Sequence, residues 1–285
     1  MTTPARIALL GTGLLGSGMA RHFLKIGAPL TVWNRTASKA RALEAEGATV
    51  AATPTECVAG ADHVHFVLPD DAIVDGILDQ IGPALRPGAV VVDHSTTLPE
   101  TTAQRFARMA AKGIRFVHAP VFMSPAMATD GGGLMLVSGP ARDVEGVKAE
   151  LESMTGELWS LGERPDLSAA YKLFGNCMLF AISAGLSDVL AMARANAIDP
   201  LEALTVFTKF QAGNIINFRG PRMARGEVTP PSFEVAMARK DVGLMTEAAK
   251  QETLIALPGI GKRMDELIAT GHGHDDLAAM ALPKR

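Results

Sequence analysis

Ile7 to Leu10 form a short apolar run, Gly11-Thr12-Gly13-Leu14-Leu15-Gly16 follows at once, and Leu14 to Ile26 keep helical spacing up to Gly27. A strand, a glycine turn and a helix in immediate succession leave few folds open. The first glycine permits a tight turn, the second lets backbone approach a ligand, and the third lets the helix pack on the strand. Unpaired N–H groups at the helix start then face an anion, and a diphosphate suits such a turn. A signal peptide is a poor alternative, because glycines break the apolar stretch and no basic segment of any length precedes it.

Strand and helix signals alternate from there. Leu30 to Trp33, Thr49 to Ala51, His63 to Leu68, Ala89 to Asp93, Arg115 to Ala119 and Leu134 to Val137 are the further strand candidates, mostly separated by helical segments. Val90-Val91-Val92 is apolar without alternation, as expected of a strand covered on both faces. The alternation stops near Leu158 to Gly162. From Ser168 the chain reads helical through Arg194, then near Pro200 to Phe210, Phe233 to Gln251 and Pro258 to Thr270. The expected fold is α/β, with an N-terminal doubly wound parallel sheet of the Rossmann type over residues 1–162 and an all-helical domain over 163–285.

Composition narrows the partners. With 48% hydrophobic and 20% charged residues and a net charge of −3, the chain reads as a soluble globular enzyme with no electrostatic reason to bind nucleic acid or an anionic membrane. Cys57 and Cys177 lack metal-ligand spacing and read as reduced packing residues of a cytoplasmic protein. The most apolar stretch, Cys177 to Leu190, is interrupted by Ser183, Ser187 and Asp188 and reads as a buried helix, too short to span a bilayer. The apolar face from Leu173 to Leu190 predicts a homodimer or homotetramer.

The second strand ends on Asn34-Arg35-Thr36, where an NAD-preferring site places a carboxylate against the adenosine ribose. Arg35 with a neighbouring hydroxyl offers positive charge and donors to a 2'-phosphate, so the expected cofactor is NADP(H). Ligands of an open parallel sheet lie beyond the carboxyl ends of its strands, which directs attention to Leu68-Pro69-Asp70-Asp71, Ser95-Thr96-Thr97 and Pro120 to Ser124. The Ser95 and Thr96 hydroxyls suit a ligand or, equally, the cap of a helix beginning near Pro99. Lys172 and Asn176 are four apart on a predicted helix and share a face, although from spacing alone a surface lysine is the better reading. His63 and His65 read as packing residues, His272, His274, Asp275 and Asp276 as a polar loop, and no metal site is expected. His94 and His118 lie at strand ends near the expected cleft.

Together these motifs resemble the β-hydroxyacid dehydrogenase family. GTGLLGSGMA is similar to its opening fingerprint, DHSTTLP at Asp93 to Pro99 to its DxSTxxP segment, Lys172 with Asn176 to its KxxxN helix, and Lys240-Asp241 to its late Lys-Asp pair. The resemblance runs the full length and implies hydride transfer between a nicotinamide and a small carbonyl or alcohol substrate, a 3-hydroxy acid or semialdehyde, with Lys172 as general acid and base. It further implies that Ser95 and Asn176 position substrate, that Thr96, Lys240, Leu68 and Pro69 contact the cofactor, and that Phe233 lies near the nicotinamide.

One segment departs from the family. Where the family usually reads APVSGG, this chain has Ala119-Pro120-Val121-Phe122-Met123-Ser124-Pro125. Phe122 and Met123 bring bulk where serine and glycines admit a carboxylate, so Phe122, Met123 and Ser124 are expected to face a substrate that is larger, less charged or differently oriented. Imine reductases of similar fold and a non-catalytic dinucleotide-binding module are the alternatives. The former typically carry an acid or tyrosine at the lysine position and the latter lack the lysine, so Lys172 favours the carbonyl enzyme.

Overall fold

The computed structural model describes residues 4–284. Strands Ile7–Leu10 (β1), Leu30–Trp33 (β2), Thr49–Val50 (β3), His63–Phe66 (β4), Val90–Asp93 (β5) and Arg115–His118 (β6) form a six-stranded sheet ordered β3-β2-β1-β4-β5-β6. All neighbouring pairs in it are parallel. Helices Leu14–Lys25 (α1), Ala37–Arg41 (α2), Pro54–Val58 (α3), Asp71–Ile81 (α4) and Pro99–Ala111 (α5) connect the strands. The strand order reverses between β1 and β4, which opens a crevice at their carboxyl ends.

Alternate residues feed two cores, one on each side of the sheet. Ile7 and Leu9 of β1 and Val90 and Val92 of β5 pack with Met19 and Phe23 of α1. Ala8, Leu10 and Val91 point the other way, to Phe66, Leu78, Ile81 and Met109. Both faces are covered, which explains apolar strands without alternation.

The single sheet expected from sequence does not continue past β6. Val121–Phe122 (β7), Leu134–Val137 (β8) and Glu157–Ser160 (β9) form a second, three-stranded sheet, with β7 antiparallel to β8 and β8 parallel to β9. Pro120 has no N–H to give and diverts the chain after β6, while a two-residue strand carries no readable periodicity. Helices Pro125–Asp130 (α6) and Ala141–Ser153 (α7) link these strands.

Histidines fill the polar part of this core. His94 Nδ1 faces the Ala119 carbonyl at 2.7 Å, so that nitrogen carries the proton and Nε2 accepts from His65 Nδ1 at 2.9 Å. His65 Nε2 meets Glu150 Oε1 at 2.8 Å, and His63 Nδ1 meets Oε2 at 2.8 Å. Burial pushes His94 down to about 3 and His118 down to about 4, from an ordinary 6.5. Both remain neutral when the unfolded chain would ionise them, so their contribution to stability is complete above pH 6.5 and declines as pH falls toward 4. Asp93, which burial pushes from 3.8 up to about 6, works in the opposite sense between those values and offsets one histidine. The expected net loss between pH 6 and 4 is about 1.4 kcal/mol per pH unit, read from urea midpoints. A flat midpoint over that range would mean that the folded protein already holds these imidazoles charged.

The chain divides into two compact units, one through Asn176 and one from Cys177, so the division falls within the helix Leu167–Ala195 (α8). The second unit contains Pro200–Leu204 (α9), Val206–Lys209 (α10), Ile215–Phe218 (α11), Gly220–Arg225 (α12), Val235–Ala248 (α13) and Leu257–Ala269 (α14). Its core is small, built on Val235, Val242, Met264 and Leu267. Asp188 of α8 accepts the N–H groups of Ile255, Ala256 (2.9 Å) and Leu257 (2.8 Å), which caps the start of α14.

The expectation of a buried helix at Cys177 to Leu190 is overturned. Met178, Leu179, Phe180 and Ile182 stand exposed, Phe180 by 66%, and Cys177 is exposed rather than packed. Apolar composition shows that a face favours burial, not what covers it. At 29 residues α8 also has the length and composition to cross a bilayer, contrary to the sequence reading. Asp188, buried within it and spent on capping, belongs to a globular packing arrangement.

Candidate active site

The glycine turn is built by close approach. Gly11 has φ +102°, and a Cβ there would collide with Val67 O, as one on Gly16 would with Gly11 O. Gly13 meets nothing within 4 Å and leaves the mouth of α1 open. Above it lies a cleft of about 520 Å³ that brings together Gly11, Gly13, Leu14, Leu15, Asn34, Arg35, Thr36, Leu68 and Pro69, while Gly16 packs beneath it. Ile73 and Ile77 of α4 add an apolar wall. An open glycine at a helix amino-terminus, apolar walls and a basic rim fit a dinucleotide.

Lys39 completes that rim and was missed by sequence reasoning, although a cation three residues after Thr36, inside the first turn of α2, was a readable signal. The Asn34 carboxamide is engaged within the protein. Its Oδ1 accepts the Thr12 N–H at 3.0 Å and its Nδ2 donates to Thr36 O at 3.0 Å, tying the glycine turn to the Arg35-Thr36 turn.

Ser95 is buried, and its Oγ accepts the Leu68 N–H at 2.9 Å, so it holds the Leu68-Pro69 loop from behind. Asp93 fixes it in turn by accepting the Ser95 N–H at 2.9 Å. Thr96 is exposed beside it. Neither residue caps α5, whose N-cap position is Leu98 with no side-chain cap bond; the Leu98 N–H itself donates to Asp71 Oδ2 at 3.0 Å.

Lys172 extends from α8 to donate to Val121 O at 2.7 Å, and its Nζ sits 4.0 Å from the centre of the Phe122 ring. Burial lowers its pKa from the ordinary 10.5. Asn176 lies half-buried one turn further along.

Residues 6–162 match the family model of the NAD binding domain of 6-phosphogluconate dehydrogenase, and residues 168–283 match that described as NAD-binding of NADP-dependent 3-hydroxyisobutyrate dehydrogenase. The chain belongs to the β-hydroxyacid dehydrogenase family. It is an NAD(P)-dependent oxidoreductase. Escherichia coli 3-sulfolactaldehyde reductase is 30% identical over 97% of this chain and 94% of its own. A Bacillus cereus imine reductase structure has a TM-score of 0.81 at 26% identity, covering 96% of this chain and 97% of that one. A structure of an Aspergillus terreus reductive aminase with NADPH and ethyl levulinate has a TM-score of 0.85 at 24% identity, covering 98% of each chain.

Against the β-hydroxyacid dehydrogenase pattern, the divergent segment resolves residue by residue. Only Phe122 stands at the lysine. Met123 packs against the core beside Gly133, and Ser124 is taken up as the cap of α6, its Oγ accepting the Met127 N–H at 3.2 Å. Met123 and Ser124, expected to face substrate with Phe122, are thus engaged within the chain, and Ser124-Pro125 was a legible helix start. Phe233 and Lys240 lie in the second unit. The Phe233 N–H donates to Asp276 at 3.3 Å, and Lys240 on α13 pairs with Asp241 at 3.1 Å.

The Phe122 ring presses on Gly175, where an added Cβ would collide with it. Gly175→Ala is therefore expected to destabilise by about 1–3 kcal/mol, against the ~1 kcal/mol that alanine gains within a helix. In a Phe122→Ser background the same change should become stabilising. Urea denaturation of the four variants reads the sign, and a stabilising Gly175→Ala in the parent would refute the contact.

Proposed function

We propose that the protein is an NADPH-dependent reductase of an aldehyde or ketone, and in reverse a dehydrogenase of the matching alcohol, with Lys172 as general acid and base. The observation that carries this reading is the half-buried ammonium of Lys172, depressed in pKa and directed at a backbone carbonyl rather than at a carboxylate. A group so placed gives up a proton at less uphill cost than an exposed lysine. When bound, the reduced nicotinamide supplies the hydride. Lys172 Nζ gives one proton to the carbonyl oxygen, becomes a neutral amine and recovers its proton from solvent. In the reverse direction the amine takes the proton of the alcohol.

Arg35, Thr36 and Lys39 line one side of the cleft and support the preference for a 2'-phosphate. The Phe122 ring covers the ammonium where an anionic substrate group would otherwise pair with it, which supports a substrate less charged or bulkier than a short 3-hydroxy acid. That aromatic cover also favours imine reduction as a second reading. The test is NADPH oxidation with succinic semialdehyde, benzaldehyde, cyclohexanone and 1-pyrroline. Faster turnover of the uncharged carbonyls supports the proposal; turnover of the imine alone replaces it with the second reading.

The exposed apolar face of α8 supports self-association, as a homodimer or homotetramer. A cytoplasmic location completes the reading.

A further inference from the structure

His118 lies at the end of β6, wholly buried, and joins three segments. Its Nε2 is 3.0 Å from Ser95 O and 3.2 Å from Thr97 Oγ1. A carbonyl only accepts, so Nε2 carries the proton and Nδ1 is a bare acceptor. That nitrogen lies 2.7 Å from Ser168 Oγ, so the Ser168 hydroxyl donates to it. Ser168 is wholly buried in the first turn of α8 and lies 2.6 Å from Ser138 Oγ, which supplies the next proton in the chain.

The spacing of these contacts gives them a role. Ser168 precedes Lys172 by one helical turn, so the two side chains share a face of α8. Val121, whose carbonyl accepts from Lys172, follows His118 by three residues. The segment leaving β6 and the start of α8 are thus joined by two rungs. One is His118 to Ser168, inside the protein, and the other is Val121 to Lys172, at the site.

We propose that His118 is a positioning residue, which sets the place of the Lys172 ammonium by fixing the first turn of α8 through Ser168. It touches neither the reacting atoms nor the cofactor cleft. A lysine on an unfixed first turn keeps its proton but loses its aim, and misplacement by about 1 Å costs up to a hundredfold in rate. Ser138 still holds Ser168 when His118 is changed, so the expected loss is smaller.

The proposal rests on Lys172 as the general acid, and the experiment separates the two. His118→Leu keeps bulk and loses all three hydrogen-bond contacts of the ring; His118→Asn keeps an acceptor near the Nδ1 position; Ser168→Ala removes the partner. In NADPH oxidation with benzaldehyde or, if faster, succinic semialdehyde, His118→Leu and Ser168→Ala should each lower kcat about tenfold, with KM within about twofold, while His118→Asn recovers to within about threefold. In a Lys172→Ala background neither change should lower kcat further, because the residue they aim is gone. NMR titration of lysine labelled with carbon-13 at the side chain gives a readout without substrate. The Lys172 signal should move up toward the ordinary lysine range in His118→Leu and Ser168→Ala, and stay near the parent's value in His118→Asn. Full turnover in Lys172→Ala overturns the acid assignment. An essential Lys172 whose titration and kcat ignore Ser168→Ala overturns the positioning role alone, as does an equal loss of kcat with and without the lysine.

Discussion

Replacing Lys172 with alanine is expected to lower kcat for carbonyl reduction by a hundredfold or more, about 2.7 kcal/mol, while the dissociation constant for NADPH changes little. The separation follows from where the side chain lies. Its Nζ is held by Val121 O and the Phe122 ring, and none of the residues lining the dinucleotide cleft depends on it. Lys172→Arg should not restore activity, because a guanidinium keeps its charge and cannot donate its proton at working pH. Burial lowers the lysine's pKa, so reduction should weaken as pH rises through that lowered value, and alcohol oxidation should strengthen. Full activity in the alanine variant would remove the lysine from the mechanism.

Arg35→Asp is expected to lower the ratio of kcat/KM for NADPH over NADH by about a hundredfold or more. A charge-assisted hydrogen bond to phosphate contributes about 1.5–3 kcal/mol, and the new carboxylate adds repulsion against the phosphate while offering an acceptor to the ribose hydroxyls of NADH. Arg35 is exposed at the edge of the cleft, and its loss leaves the core untouched. Lys39 remains in the variant, so NADPH binding should weaken rather than vanish. An unchanged ratio would move 2'-phosphate recognition away from this turn.

What could be read from sequence and what could not divides by distance along the chain. The glycine turn was legible because strand, turn and helix are contiguous, with Gly11 and Gly16 answering to close backbone contacts and Gly13 to open space at the helix mouth. Ser95 was placed in the right loop, without the partner it holds inside the protein. Its hydroxyl holds the Leu68 N–H, 27 residues away, and no local pattern reports such a bond. Lys172 meets a carbonyl 51 residues back, so only resemblance singled it out from surface lysines. The second sheet was hidden because β7 has two residues, too few for any period. Gly175 carries no signal of its own within a helical run, and its meaning appears only once the Phe122 ring is seen against it.

Asn34 carries a lesson for anyone redesigning the coenzyme preference of this protein. A single carboxamide serves two masters, accepting from the glycine turn, proposed to hold the diphosphate, and donating to the Arg35-Thr36 turn, proposed to meet the adenosine ribose. An aspartate grafted at this position, as a conversion toward NADH invites, would keep the first bond and forfeit the second, since a carboxylate has no proton to give. Diphosphate grip and coenzyme choice are thus wired in series, and an engineer who adjusts one will move the other.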